Sequence, residues 1–244
     1  MTDPLVAPVV DAPAPTGAWR DAVVREVDHV GARTVRLRLD VPDRIDHVPG
    51  QHYVIRLTAP DGYVAQRSYS IASAPDDPLL ELLIERLDDG EVSPFLADEV
   101  RAGDQLRVRG PMGGWFVWRG NTSALGVAGG SGVVPFISML RHAVHLGVPD
   151  QLRLVVSARS ASALPYAREL AEFGAVIAFT REARAGGRPV GRLTVDDIAG
   201  LIPGSDADYF ICGSAPFADA ASTLLMAAGA PEARIRVERF GPSG

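Results

Sequence analysis

Cysteine is nearly absent from this chain: Cys212 is the only one in 244 residues. A disulfide within the chain is therefore impossible. An iron–sulfur cluster, which ordinarily takes four Cys ligands, has no ligand set here. A lone thiol fits a reducing compartment, so the expected location is the cytoplasm. Long apolar runs are missing too, since none approaches the ~18 consecutive residues that span a bilayer. The N-terminus has no basic region followed by an apolar segment, which gives no support to a secretory signal. Positive charge is in deficit, with 24 Lys plus Arg against 30 Asp plus Glu and a net charge of −6. Nucleic acid is not an expected partner, because neutralising phosphates needs a cationic surplus. Neither a Gly-x-Ser-x-Gly elbow nor a Ser-His-Asp order stands out. What is present is 47% apolar and 22% charged residues. That is an ordinary globular balance, with length for one large domain or two ordinary ones.

Residues 1–16 are rich in Pro and Ala without clean periodicity, and a loosely attached tail is expected there. Between 17 and 120 the signals are strand-like: 22–27, 34–39, 51–57, 79–84 and 105–109 gather β-formers, with Asp61-Gly62 marking a turn. Short strands punctuated by Gly and Pro predict an antiparallel barrel. Ser93-Pro94 fits an N-cap followed by the first helical position of a short helix. From 121 to 244 the rhythm changes. Strands at 124–128, 152–156, 175–179, 208–212 and 234–237 alternate with helices at 135–146, 164–173 and 216–228. This alternation predicts an α/β domain, a parallel sheet with helices on both faces. The expected fold class is thus a β-barrel followed by an α/β nucleotide-binding domain.

Two segments carry the chemistry. Gly129-Gly130-Ser131-Gly132 lies between a strand and a helix. Glycines there allow a tight turn and let a pyrophosphate approach the backbone, while the helix start supplies N–H groups and a favourable dipole. The spacing departs from GxGxxG, and a Gly-rich turn that packs closely and binds nothing is the alternative. Arg67-Ser68-Tyr69-Ser70-Ile71-Ala72-Ser73, expected to follow a strand, is the other segment, and an ordinary β-strand with a surface Arg and a half-buried Tyr is the alternative. An Arg can grip phosphate oxygens bidentately, a Tyr ring can stack on a planar ligand, and Ser70 adds a polar group near that plane. Gly90-Glu91-Val92-Ser93 adds a second phosphate-friendly spot if Ser93 caps a helix. The histidines read as structural: His47 and His52 flank the Pro49-Gly50 turn, while His142 and His145 share a helix face with no further ligand.

Taken in order, the chain resembles the ferredoxin–NADP reductase superfamily, in its bacterial oxygenase-reductase branch. The resemblance runs from about Trp19 to Pro242. It also rests on His47-Val48-Pro49-Gly50-Gln51-His52, Gly110-Pro111-Met112-Gly113-Gly114-Trp115-Phe116, Cys212-Gly213-Ser214-Ala215-Pro216 and Glu238-Arg239-Phe240-Gly241-Pro242. It implies a flavin-binding barrel followed by a nicotinamide-dinucleotide domain. By that analogy Arg67 contacts the flavin pyrophosphate and Tyr69 packs on the isoalloxazine or bonds the ribityl chain. Ser70 lies near flavin N5, and Val92 and Ser93 hold phosphate. Ser68 and Glu91 are counted with the same cofactor-binding segments. Gly130, Ser131 and Gly132 line the dinucleotide, Cys212 and Gly213 border the nicotinamide, and Phe240 covers the flavin with Glu238 nearby. Ser70, Cys212 and Glu238 are the residues nearest the reacting atoms in this reading. One departure is Val134, where the family often carries Thr before Pro.

The resemblance implies FAD, chosen over FMN because most of that branch uses FAD, and hydride delivery from NADPH or NADH. No acidic residue immediately follows the second strand of the α/β part, whereas Ser157, Arg159 and Arg181 can hold a 2′-phosphate, so NADPH is slightly favoured. With no iron–sulfur ligands in the chain, the expected electron acceptor is a separate ferredoxin. A ferric chelate or free flavin is the alternative, as is a flavin-binding subunit that does not itself oxidise NAD(P)H.

Overall fold

The computed structural model describes residues 17–183 and 188–240. The expected tail at 1–16 and the end of the last matching motif, Gly241-Pro242, lie outside them. The first half is built of β1 (Trp19–Gly31), β2 (Thr34–Asp40), β3 (His52–Thr58), β4 (Val64–Ser70), β5 (Leu80–Glu85) and β6 (Gln105–Met112), with α1 (Ser93–Asp98) before β6. Their order in one antiparallel sheet is β4-β3-β6-β1-β2-β5. The alternation seen in the sequence is the alternation of faces. In β2 every second residue is buried, and Leu37 and Leu39 join Ile55, Leu82, Ile84 and Val108 in a single core. Gly62, at a φ of 89°, turns β3 into β4, and Asp61 Oδ1 accepts the Tyr63 N–H at 3.0 Å.

The second half is a parallel sheet of β7 (Ala124–Gly129), β8 (Leu152–Ala158), β9 (Val176–Phe179), β10 (Asp208–Ser214) and β11 (Ile235–Phe240) in the order β11-β10-β7-β8-β9. Its strands read as near-continuous apolar runs because both faces are covered. Helices α2 (Val134–His145) and α3 (Ala167–Glu172) pack on one face, and α4 (Asp196–Ala199) and α5 (Ala215–Ala227) on the other. The α2 face is continuous with Ala72, Leu83, Phe116 and Trp118 from the first half, so one hydrophobic cluster joins the two sheets.

Three local expectations need correction. Arg67 does not follow a strand; it lies inside β4, as the alternative reading of its segment has it. Ser93 does not cap α1. Val92 holds the cap position with no side-chain hydrogen bond, and Ser93 Oγ instead accepts the Leu87 N–H at 3.1 Å. The hydroxyl oxygen closes the loop after β5 by accepting this bond. The helix expected at 164–173 begins only at Ala167, because Tyr166 sits at a φ of 56°, outside the helical region. No helix among the described residues is long and apolar enough to cross a membrane.

Candidate functional site

The β3–β4 hairpin positions the first set of candidates. Its register sets Arg67 opposite Ile55, Ser68 opposite Val54, Tyr69 opposite Tyr53 and Ser70 opposite His52. Arg67 and Ser68 are exposed, while Tyr69 and Ser70 are half-buried. Tyr69 packs its ring on the barrel core, and burial pushes its hydroxyl well above the ordinary phenol range, so it remains a neutral donor. The segment around Glu91 comes to meet this strand. Arg67 lies 3.8 Å from Glu91, and the same carboxyl accepts the Tyr63 hydroxyl at 2.9 Å. Two stretches 24 residues apart in the chain thus converge on one guanidinium, with an exposed carboxyl beside it.

The second set sits where the parallel sheet changes direction. β7 is the first strand of that sheet, and its two neighbours β8 and β10 are reached by connections that leave in opposite directions. A crevice opens at the carboxyl ends of such a pair, and ligands of open α/β sheets bind there. Gly129 ends β7, Gly130–Val133 forms a 3-10 turn, and α2 follows at once. At Gly130 φ is 57° and the space that a Cβ would take is empty. The other glycines are there for contact. A Cβ on Gly132 would lie 2.3 Å from the Cys212 carbonyl oxygen. On Gly129 and Gly213 it would strike the Phe217 ring at 2.7 and 2.4 Å. Packing therefore accounts for three glycines, and the open, left-handed Gly130 at the head of α2 is the point where a ligand can reach the backbone. Ser131 is half-buried in the same turn.

Cys212 is paired with Ala128 on one side and Glu238 on the other. Burial, reinforced by the neighbouring Glu238 carboxyl, pushes the thiol well above its usual range, so it is a neutral sulfhydryl. Burial also raises Glu238 to about 6, and its Oε2 is buried without a hydrogen-bond partner among the described residues. Phe240 pairs with Ser214 two residues beyond and is exposed. The loop glycines, Cys212, Gly213 and Glu238 thus form one continuous patch.

At the far side, Ser157 pairs with Gly129, and the Arg181 N–H donates to the Arg159 carbonyl at 3.0 Å, so the two arginines lie side by side at the ends of β8 and β9. The sequence reading missed Glu182, whose carboxyl accepts the Ala161 N–H at 2.8 Å beside them. It lies three residues beyond the end of β9 and not in the run after β8, and only the pairing of the two strands brings it there. The histidines are engaged structurally. His47 Nε2 lies 3.0 Å from the Ser73 carbonyl, and burial lowers its pKa to about 4. His145 pairs with Asp76 at 2.8 Å, and His142 stands edge-on to Trp118. No group of three His, Cys, Asp or Glu suited to a metal occurs among the described residues.

The residues present fit two cofactors. A guanidinium beside a half-buried tyrosine suits a phosphate and a planar ring. An open glycine at a helix start, with a neutral thiol and an unpartnered buried carboxyl nearby, suits a dinucleotide.

Comparison with known proteins agrees with this division. Residues 21–117 match the family model of the oxidoreductase FAD-binding domain, and residues 127–223 that of the oxidoreductase NAD-binding domain. The propane 2-monooxygenase reductase component of Rhodococcus jostii is 30% identical over 193 residues, covering 73% of this chain and 52% of its own length. A flavohemoprotein of Bacillus subtilis is 31% identical over 205 residues, covering 79% and 51%. The chain thus spans about half the length of the curated relatives it matches. Among solved structures, the flavohem-like FAD/NAD-binding domain of nitric oxide dioxygenase from Vibrio cholerae superposes with a TM-score of 0.81 at 25% identity, covering 91% of this chain and 99% of that one. A ferredoxin NADP+ reductase from Neisseria gonorrhoeae shares the fold, with a TM-score of 0.74 at 20% identity over 91% of this chain and 98% of the other.

Proposed function

The chain belongs to the ferredoxin–NADP reductase superfamily of FAD- and NAD-binding oxidoreductases, and we propose that it takes hydride from NADPH onto FAD and delivers the electrons to a separate ferredoxin. FAD supplies the redox chemistry, and the protein supplies binding, orientation and exclusion of water. In this reading Arg67 grips the flavin pyrophosphate, with the backbone of Glu91, Val92 and Ser93 beside it. Ser68, Tyr69 and Ser70 hold the ring end. Gly130, Ser131 and Gly132 cradle the dinucleotide, Ser157, Arg159 and Arg181 face its ribose phosphate, and Cys212, Gly213, Glu238 and Phe240 border the meeting point. We place the boundary between the two domains near Asn121, with the first running from 17 to 120 and the second from 121 to 244.

One contact carries the reading. Ser138 Oγ, one turn into the helix that starts at the glycine loop, donates to the Ser73 carbonyl at 2.7 Å, at the end of the Arg67–Ser73 segment. The contact supports the reading of the two motif segments as parts of one site. Cys212 fits the role assigned to it, since a neutral, polarisable thiol can border a ring without attacking it. A separate acceptor is supported by the relatives named as reductase components of monooxygenases.

The acceptor is tested with FAD-loaded protein and NADPH, assayed in parallel with an iron–sulfur ferredoxin, a ferric chelate and free FMN. Faster turnover with ferredoxin supports the proposal. Equal or faster turnover with either small acceptor assigns the chain to the small-molecule reductases instead.

A further inference from the structure

The two domains are joined by a buried polar cluster that the cofactor chemistry does not use. At its centre is Glu81 of β5, whose side chain is 3% exposed. Its Oε1 accepts from Arg141 at 3.0 Å and from the Tyr166 hydroxyl at 2.8 Å, both from the nucleotide domain. Arg141 also donates to the Ala72 carbonyl at 3.0 Å, and its other edge is held by Glu169 at 2.7 and 3.0 Å. Tyr166 reaches Glu81 from a left-handed backbone at a φ of 56°. A bulky residue keeps such a conformation only where its surroundings fix it.

The position of Arg141 gives the cluster its meaning. It lies on α2, seven residues after Val134, on the face that also carries Ser138. The same rod therefore begins at the dinucleotide loop and ends in a fork on the strand end that follows Ser70. Ala72 and Glu81 are themselves tied, the Ala72 N–H donating to the Glu81 carbonyl at 2.9 Å. The chain has no lysine, so arginine stands at every permanently cationic position, but here the guanidinium geometry is required. Only a planar fork reaches Glu81, Ala72 and Glu169 at once.

We propose that Arg141 is a positioning residue: by clasping Glu81 and the Ala72 carbonyl, with Tyr166 completing the clasp, it sets the spacing and angle between the flavin half and the nicotinamide half of the site. The proposal rests on the hydride-transfer reading above. Removing the fork leaves both cofactor pockets intact and misaligns them.

The test compares Arg141→Lys and Tyr166→Phe with wild type and with Arg168→Ala, a control that breaks only the exposed Arg168–Glu172 pair. Flavin bleaching by NADPH is followed by rapid mixing, together with flavin content, nucleotide half-saturation, the flavin–nicotinamide charge-transfer absorbance and amide hydrogen exchange at 72, 73 and 81. Arg141→Lys is expected to lower the limiting rate by about tenfold or more. Charge-transfer absorbance falls, half-saturation and flavin content hold, and exchange at the three amides quickens. Tyr166→Phe shifts the same readouts by less, and it carries the test alone if Arg141→Lys fails to fold. A limiting rate equal to wild type in both variants, with only a lower melting temperature, makes the cluster a plain stabiliser and overturns the proposal. If wild-type flavin is not bleached at all, the functional reading fails. In that case unchanged exchange at 72, 73 and 81 in both variants overturns the clasp separately.

Discussion

Cys212 and Glu238 stand in register on adjacent parallel strands, a thiol and a carboxyl both driven toward their neutral forms by burial. The strand pairing fixes their proximity, and the glycine loop closes over them, with Gly132 against the Cys212 carbonyl. Burial raises both, and the Glu238 carboxyl raises the thiol further, so of the two only Glu238 exchanges its proton, at about pH 6.

That proton gives a pH signature. The folded Glu238 titrates at about 6 against 4.5 for the free side chain. A carboxyl with a raised folded pKa leaves the fold unpenalised below about pH 4.5 and costs stability as pH rises through 6. Glu238→Gln should therefore match wild type in urea unfolding at acid pH. Above neutrality it should be the more stable, by at most about 2 kcal/mol. The gap opens between the two pKa values, and a constant offset at every pH would assign the effect to packing.

Arg67 and Glu91 make opposite predictions for flavin affinity. Arg67→Ala removes a charge-assisted grip worth about 1.5–3 kcal/mol, so flavin should bind roughly ten- to a hundredfold more weakly in a fluorescence titration. Glu91→Gln removes the carboxyl 3.8 Å from that guanidinium. It should tighten binding by up to about fivefold, the scale of an exposed ion pair. Flavin affinity indifferent to both changes would place the phosphate elsewhere.

Gly132→Ala tests the loop. Its Cβ would lie 2.3 Å from backbone that cannot step aside. The variant should lose about 1–3 kcal/mol, as overpacked sites do, and bind NADPH more weakly at unchanged flavin content. Calorimetry and a nucleotide titration read the two effects.

Arg159 and Arg181 test nucleotide choice. Their joint replacement by Ala should cut kcat/KM for NADPH at least about tenfold, on the scale of a lost charged hydrogen bond, and leave NADH nearly unaffected. Glu182, beside them, is engaged by the Ala161 N–H. An equal loss with both nucleotides would reduce the arginines to ordinary surface charge.

Much of this architecture was legible in the sequence because it rests on local signals. Alternation along 34–39 is the two-faced β2, and the apolar runs at 124–128 and 208–212 are the doubly covered β7 and β10. What local signals cannot show is a side chain engaged by a distant partner. Ser93 has the residue type and the following Pro of an N-cap, but its hydroxyl serves Leu87. Tyr166 delays its helix because it reaches Glu81, 85 positions away. Glu182 reaches Ala161 only through the pairing of β8 with β9. Nothing local marks Arg141 on its helix, since its clasp on the barrel exists only once the two sheets are packed together.

The central claim is that one site passes hydride from nicotinamide to flavin, and an anaerobic titration of the FAD-loaded protein with NADPH and, separately, NADH tests it most directly. Stoichiometric bleaching of the visible flavin band is expected, at lower concentration with NADPH than with NADH. A flavin that binds and stays oxidised in excess of both nucleotides would contradict it.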